Sequence, residues 1–118
     1  MFIKCIVHLP AYVRDGRYYI DVKLDENTRH FAETEHLKSA HKLCKNGKVF
    51  NPLDDDILTL KIPFKWNRPT LYVDGLKTIF EYVKDDILYG CVEYNGVWNT
   101  IHACGMTWTL VSIKDLNA

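Results

Sequence analysis

Histidine and cysteine recur at spacings that let two side chains meet one atom: Cys5-x-x-His8, His41-x-x-Cys44 and His102-x-Cys104, with His30 and His36 between. At i and i+3 of a helix His41 and Cys44 lie on one side, and in a strand His102 and Cys104 share a face, so either pair has the geometry to ligate zinc. A structural zinc site normally brings cysteines in short-spaced pairs, and no Cys-x-x-Cys is present. No metal and no cofactor are therefore expected, and the four cysteines read as reduced, mostly buried thiols. Nucleophilic chemistry needs a base or a helix N-terminus beside the thiol. Cys44 falls at the C-terminal end of an expected helix, which leaves Cys104 with His102 as the pair on which a small His/Cys enzyme would rest. Asp54-Asp55-Asp56 and Asp85-Asp86 read as solvated turns, and no calcium loop, phosphate loop, Gly-x-Ser-x-Gly or His-Glu-x-x-His occurs. No catalytic residue is assigned, and a binding function is expected over an enzymatic one.

Aromatic and polar groups near turns supply the binding chemistry. Trp66-Asn67-Arg68 closes one strand, and Tyr94-Asn95-Gly96-Val97-Trp98-Asn99 surrounds a turn. The expected ligand-binding residues are Trp66, Arg68, Tyr94, Asn95, Trp98 and Asn99, which combine flat stacking surfaces with amide and guanidinium donors. Such a set suits a small polar or nucleotide-like ligand. Lys61, Lys65 and Arg68 beside Phe64 and Trp66 also admit single-stranded nucleic acid as an alternative.

The elements that must position these residues follow from hydropathy period. Tyr18, Ile20, Val22 and Leu24 alternate with Arg17, Tyr19, Asp21 and Lys23, and Asp15-Gly16 precedes them, which predicts an N-terminal hairpin in which Pro10 breaks or bulges the first strand and favours an edge position. Helical spacing of Leu37, Ala40, Leu43 and Cys44, after a cap at Asn27-Thr28, predicts a helix over about 31–44. Leu58, Leu60, Ile62, Phe64 and Trp66 alternate as one long central strand made irregular by Pro63. Leu76, Ile79, Phe80 and Val83 predict a second helix ending near Asp86. The turn code Asn95-Gly96 predicts a C-terminal three-stranded meander over 87–94, 97–104 and 106–113. The fold class expected is α+β, one mainly antiparallel sheet carrying two helices, with residues 1–118 forming a single domain.

Composition bounds the rest. Fifteen basic and fifteen acidic residues give zero net charge, which argues against broad attraction to nucleic acid or an anionic membrane. Apolar runs are too short to span a bilayer, and the N-terminus lacks the pattern of a signal peptide. The expected compartment is the cytoplasm of a bacterial or virus-infected cell. Residues favoured by A/T-rich codons outnumber Gly, Ala, Arg and Pro by about two to one, the composition of many phage and viral genes. These observations lead to an expectation of a non-enzymatic phage or viral accessory protein that sequesters a ligand or blocks a host protein. Unpaired sheet edges add an expectation of a homo-oligomer, with Tyr12, Tyr19 and Trp98 as contact anchors.

Overall fold

Residues 2–14 alternate between core and solvent, with Ile3, Cys5 and Val7 buried and Phe2, Lys4, Ile6 and His8 exposed, and they form strand β1 (Phe2–Arg14). Asp15 and Gly16 take positive φ of 53° and 76°, reversing the chain into β2 (Arg17–Lys23). The structure, a computed structural model, describes residues 1–115. Helix α1 (Glu26–Ser39) follows, then the short strands β3 (Lys48–Phe50) and β4 (Leu53–Asp54). Next come β5 (Ile57–Ile62), β6 (Phe64–Lys65), β7 (Arg68–Pro69) and β8 (Tyr72–Asp74). Two long strands, β9 (Ile87–Asn99) and β10 (Ala103–Lys114), complete the fold.

Eight strands make one mixed sheet in the order β3-β10-β9-β1-β2-β5-β4, with β8 also on β10, while β6 and β7 pair separately. Strand β10 runs parallel to β3, β5 and β8 and antiparallel to β9. Its pairing with β5, at Thr109 opposite Lys61, joins the two ends of the run β10-β9-β1-β2-β5. Five strands thus pair in a closed cycle. The residues pointing into it, among them Ile20, Val22, Leu58, Leu60, Ile62, Leu88, Leu110 and Ile113, are inaccessible to solvent and form one core. Each such side chain contributes about 1.5–3 kcal/mol of burial free energy.

The expected sheet of hairpin, central strand and meander with two helices is corrected to this interleaved eight-stranded arrangement with one helix. Three local causes account for the change. First, Asn95-Gly96 does not end a strand. Tyr94 opposes Trp108 and Gly96 opposes Thr107, so Asn95 is the extra residue of a bulge, and Gly96 at φ 87° accommodates it inside β9. The chain reverses later, where Thr100 and Ala103 exchange backbone and hydroxyl hydrogen bonds of 2.8–3.2 Å.

Second, residues 75–86 form only a 3-10 turn, Ile79–Glu81, closed by a reciprocal box between Thr78 and Glu81. Asp86 takes the Val83 N–H at 2.9 Å and the Lys77 ammonium at 3.0 Å. These side-chain acceptors compete with helix formation, and of the four residues spaced for a helix only Ile79 is buried.

Third, Pro63 ends β5 outright, so that Phe64 and Trp66 belong to the β6–β7 hairpin, where Phe64 still packs against the core and Trp66 is exposed. Pro10 falls where β1 is irregular, the β2 register being broken between Leu9 and Tyr12, and beyond the Phe2–Ile6 ladder with β9, so that side of the strand is unpaired there.

Helix α1 begins earlier than its spacing suggests because Asp25 accepts from Thr28 N at 2.7 Å as the cap. Its buried face is Ala32 and His36, and Leu37 is 76% exposed. His36 is joined to the barrel by Trp108, whose Nε1 donates to His36 Nε2 at 2.8 Å. The reading of four free thiols also changes, since Cys44 and Cys104 form a disulfide with Cα atoms 5.8 Å apart. Cys5 and Cys91 are free, and burial pushes the Cys5 thiol up to about 12. Among the described residues no helix is long and apolar enough to cross a membrane.

Candidate functional site

Cross-strand register lines up a row of side chains on the outside of the barrel. Tyr12 on β1 opposes Tyr19 on β2, Tyr19 opposes Lys61 on β5, and Lys61 opposes Thr109 on β10. Alternation dictates their direction: Ile20 and Val22 in β2 and Leu60 and Ile62 in β5 point into the core, so Tyr19 and Lys61 point out.

The row is braced from one side. Asp21 Oδ1 accepts from the Tyr12 hydroxyl at 2.7 Å and from Thr59 Oγ1 at 2.9 Å, fixing the Tyr12 ring 5.9 Å from that of Tyr19. Burial, followed by the hydrogen bond to Asp21 and its charge, pushes the Tyr12 phenol up to about 12. It therefore stays protonated and donating at physiological pH. From the other side the Arg14 guanidinium stands 4.8 Å over the Tyr19 ring, a cation held at an aromatic face and ready to meet an anion.

The β6–β7 hairpin grows from the same end of the sheet. Tyr18 opposes Ile62, the last residue of β5, and the Phe64 ring stacks on Tyr18 with centroids 3.9 Å apart and planes 7° apart. Phe80 meets both rings edge-on at 6.0 Å. This aromatic base supports a turn in which Trp66 and Asn67 both take positive φ, 56° and 63°. Glycine and asparagine are the usual residues there, and a bulky side chain in that region costs about 1–2 kcal/mol. Trp66 is nevertheless there and 83% exposed, so the fold gains no burial from it.

Charge follows the same geography. Arg14, Arg17, Lys61, Lys65 and Arg68 sit around the β1–β2 turn, the outer face and the hairpin, and none joins an ion pair among the described residues. Asp15 and Asp21 are the acids in these segments, whereas Asp54, Asp55 and Asp56 lie at the opposite end of β5. The zero net charge is thus a sum of separated charges.

Of the six residues expected to bind ligand, Trp66 and Arg68 belong to this hairpin. The other four lie along β9, and their groups are engaged within the fold. Tyr94 packs on Trp108 at 4.9 Å and shares a 2.7 Å hydrogen bond with Ser39. Asn95 accepts from Thr109 Oγ1 at 2.6 Å, Trp98 stacks on Phe50 at 5.9 Å, and Asn99 donates to the Lys42 carbonyl at 3.1 Å. Tyr12, Arg14, Tyr19 and Lys61 were missing from that set. The alternation of residues 17–24 was the signal for Tyr19, since it turns that ring away from the core.

The His/Cys groups do not converge on a metal: among the described residues no three His, Cys, Asp or Glu side chains are arranged to hold one. Cys44 and Cys104, the sulfur members of two of the pairs, are bonded to each other. Comparison of the chain with protein-family models, with curated proteins and with solved structures finds no match.

Proposed function

We propose that this chain is a non-catalytic binding protein for single-stranded nucleic acid, held on the outer face of β1, β2 and β5. The observation that carries this reading is the registered row Tyr12, Tyr19, Lys61, which sets stacking rings beside a cation on a face turned from the core. Every base has a flat π-face, so the half-buried, outward-turned rings of Tyr12 and Tyr19 accept bases with little regard to sequence, and each stacked base contributes about 1–3 kcal/mol. The five cations supply attraction for the phosphates between the bases.

A polymer suits this surface better than a mononucleotide. Tyr12 to Lys61 crosses two interstrand spacings, about 10 Å, and Trp66 extends the surface along the hairpin. The strand cycle β1-β2-β5-β10-β9 also has the connectivity of the OB barrel, in which the second and third strands and the first hairpin loop receive oligonucleotides. That is an analogy of fold, and folds host many functions. The ligand assignment rests on the named rings and cations.

Anisotropy of a labelled oligodeoxythymidine tests the reading. Five phosphate contacts give a slope of log K against log salt of about −3 to −4, and Tyr19→Ala weakens binding about 5- to 150-fold. Absence of binding at low salt, or a folded Tyr19→Ala variant that binds unchanged, contradicts it.

A further inference from the structure

A second pair of stacked rings lies on the same outward side of the sheet, toward the start of β10. In β10, Cys104, Met106, Trp108 and Leu110 are buried, so alternation turns Gly105, Thr107 and Thr109 to the other side. Thr109 opposes Lys61 of the stacking row. Back along β10 by about 14 Å, Gly105 lies between Phe50 of β3 and Trp98 of β9. The Phe50 and Trp98 rings meet there with centroids 5.9 Å apart and planes 29° apart. Only glycine admits this approach, since a Cβ on residue 105 would stand 2.7 Å from Trp98 Cζ2. The pair is braced from behind: Cys104 is bonded to Cys44, and Asn99 donates to the Lys42 carbonyl at 3.1 Å, which ties the chain leading into β3 to β9 and β10. Both rings remain open to solvent, Trp98 at 36% and Phe50 at 44% exposed, and Lys48 Nζ stands 4.8 Å over the Phe50 ring.

We propose, resting on the nucleic-acid reading above, that Phe50, Trp98 and Lys48 form a second stacking platform, reached by strands too long to end on the row of Tyr12 and Tyr19. The two platforms share one face and are joined through Lys61 and Thr109. Charge has the sign a phosphate backbone needs. Lys42, Lys45 and Lys48 join no ion pair among the described residues, and residues 36–53 and 94–114 contain no Asp or Glu. Glu93 opposes Thr109 from β9 and repels phosphate. It directs the strand to the other flank of β10, where β5 carries Lys61 and β3 carries Lys48. The separation of the platforms agrees with the site sizes of about 4–16 nucleotides found for single-strand binders of barrel form.

Anisotropy with labelled oligodeoxythymidines of four and twelve nucleotides tests the extension. Trp98→Leu, which keeps an apolar cover over Gly105, is expected to weaken the twelve-mer about 5- to 150-fold and to leave the tetramer unchanged. Lys48→Gln, at an exposed position, is expected to lower the twelve-mer's slope of log K against log salt by about 0.7 and to leave the tetramer's as it was. Tyr19→Ala should weaken both lengths. A folded Trp98→Leu variant with undiminished twelve-mer affinity, equal losses at both lengths, or an unchanged slope for Lys48→Gln overturns the second platform, while the Tyr19→Ala losses preserve the first. Should Trp98→Leu fail to fold, the Lys48→Gln slope decides. If Tyr19→Ala binds both lengths unchanged, the nucleic-acid face itself falls and the extension with it.

Discussion

Trp108 Nε1 donates to His36 Nε2 across 2.8 Å, joining residues 72 apart in sequence and fastening helix α1 to the barrel. The bond requires a neutral imidazole protonated on Nδ1, because Nε2 must accept. Burial works in the same direction, holding the His36 pKa below its ordinary value, while Glu33 and Glu35 oppose the shift. A histidine depressed in the folded state contributes stability in full above its unfolded value, about 6.5, and loses it as pH falls toward the folded value. Denaturant midpoints between pH 7.5 and 5.5 should therefore fall for the native chain. They should fall less for His36→Gln, whose amide oxygen can still accept from the indole. Equal falls would remove His36 as the titrating group.

The Cys44–Cys104 bond encloses a loop with a sequence separation of 60 and ties the segment after α1 to β10. Constraint of a loop this long stabilises a fold by about 4 kcal/mol in the chain-entropy treatment. Thiol titration of denatured, unreduced protein should find two reactive thiols per chain, from Cys5 and Cys91, and four after reduction. Paired Cys44→Ser and Cys104→Ser replacements should lower stability by about that amount. Four thiols before reduction would show the bond unformed.

Trp66 separates function from folding. Its ring is exposed at the hairpin tip, so Trp66→Ala should leave stability within about 0.5 kcal/mol while weakening oligonucleotide binding by about 1–3 kcal/mol. A variant that lost stability but kept its affinity would return Trp66 to a structural role.

The parts of this fold that were legible in sequence are those governed by short-range rules. Alternation located the buried faces of residues 17–24 and 57–62, and Asp15-Gly16 located the first turn, because side-chain direction and positive φ are local properties. Pairing between distant strands is not local. The parallel contact of Thr109 with Lys61, which closes the cycle, leaves no trace in either segment. Asn95-Gly96 misled for a related reason, since the same backbone preference serves a turn or a bulge and only the partner strand decides which. The candidate site was half visible: Trp66 and Arg68 stood out by type, whereas the row from Tyr12 to Lys61 exists only once three strands are in register.

The most direct test of the account is backbone amide NMR of the protein titrated with a short oligodeoxythymidine. Shifts should concentrate at Tyr12, Arg14, Tyr19, Thr59 and Lys61 and across residues 64–69, and should reverse on raising salt. Shifts confined to the Trp98–Asn99 end of the β9–β10 ribbon, or none at all at low salt, would contradict it.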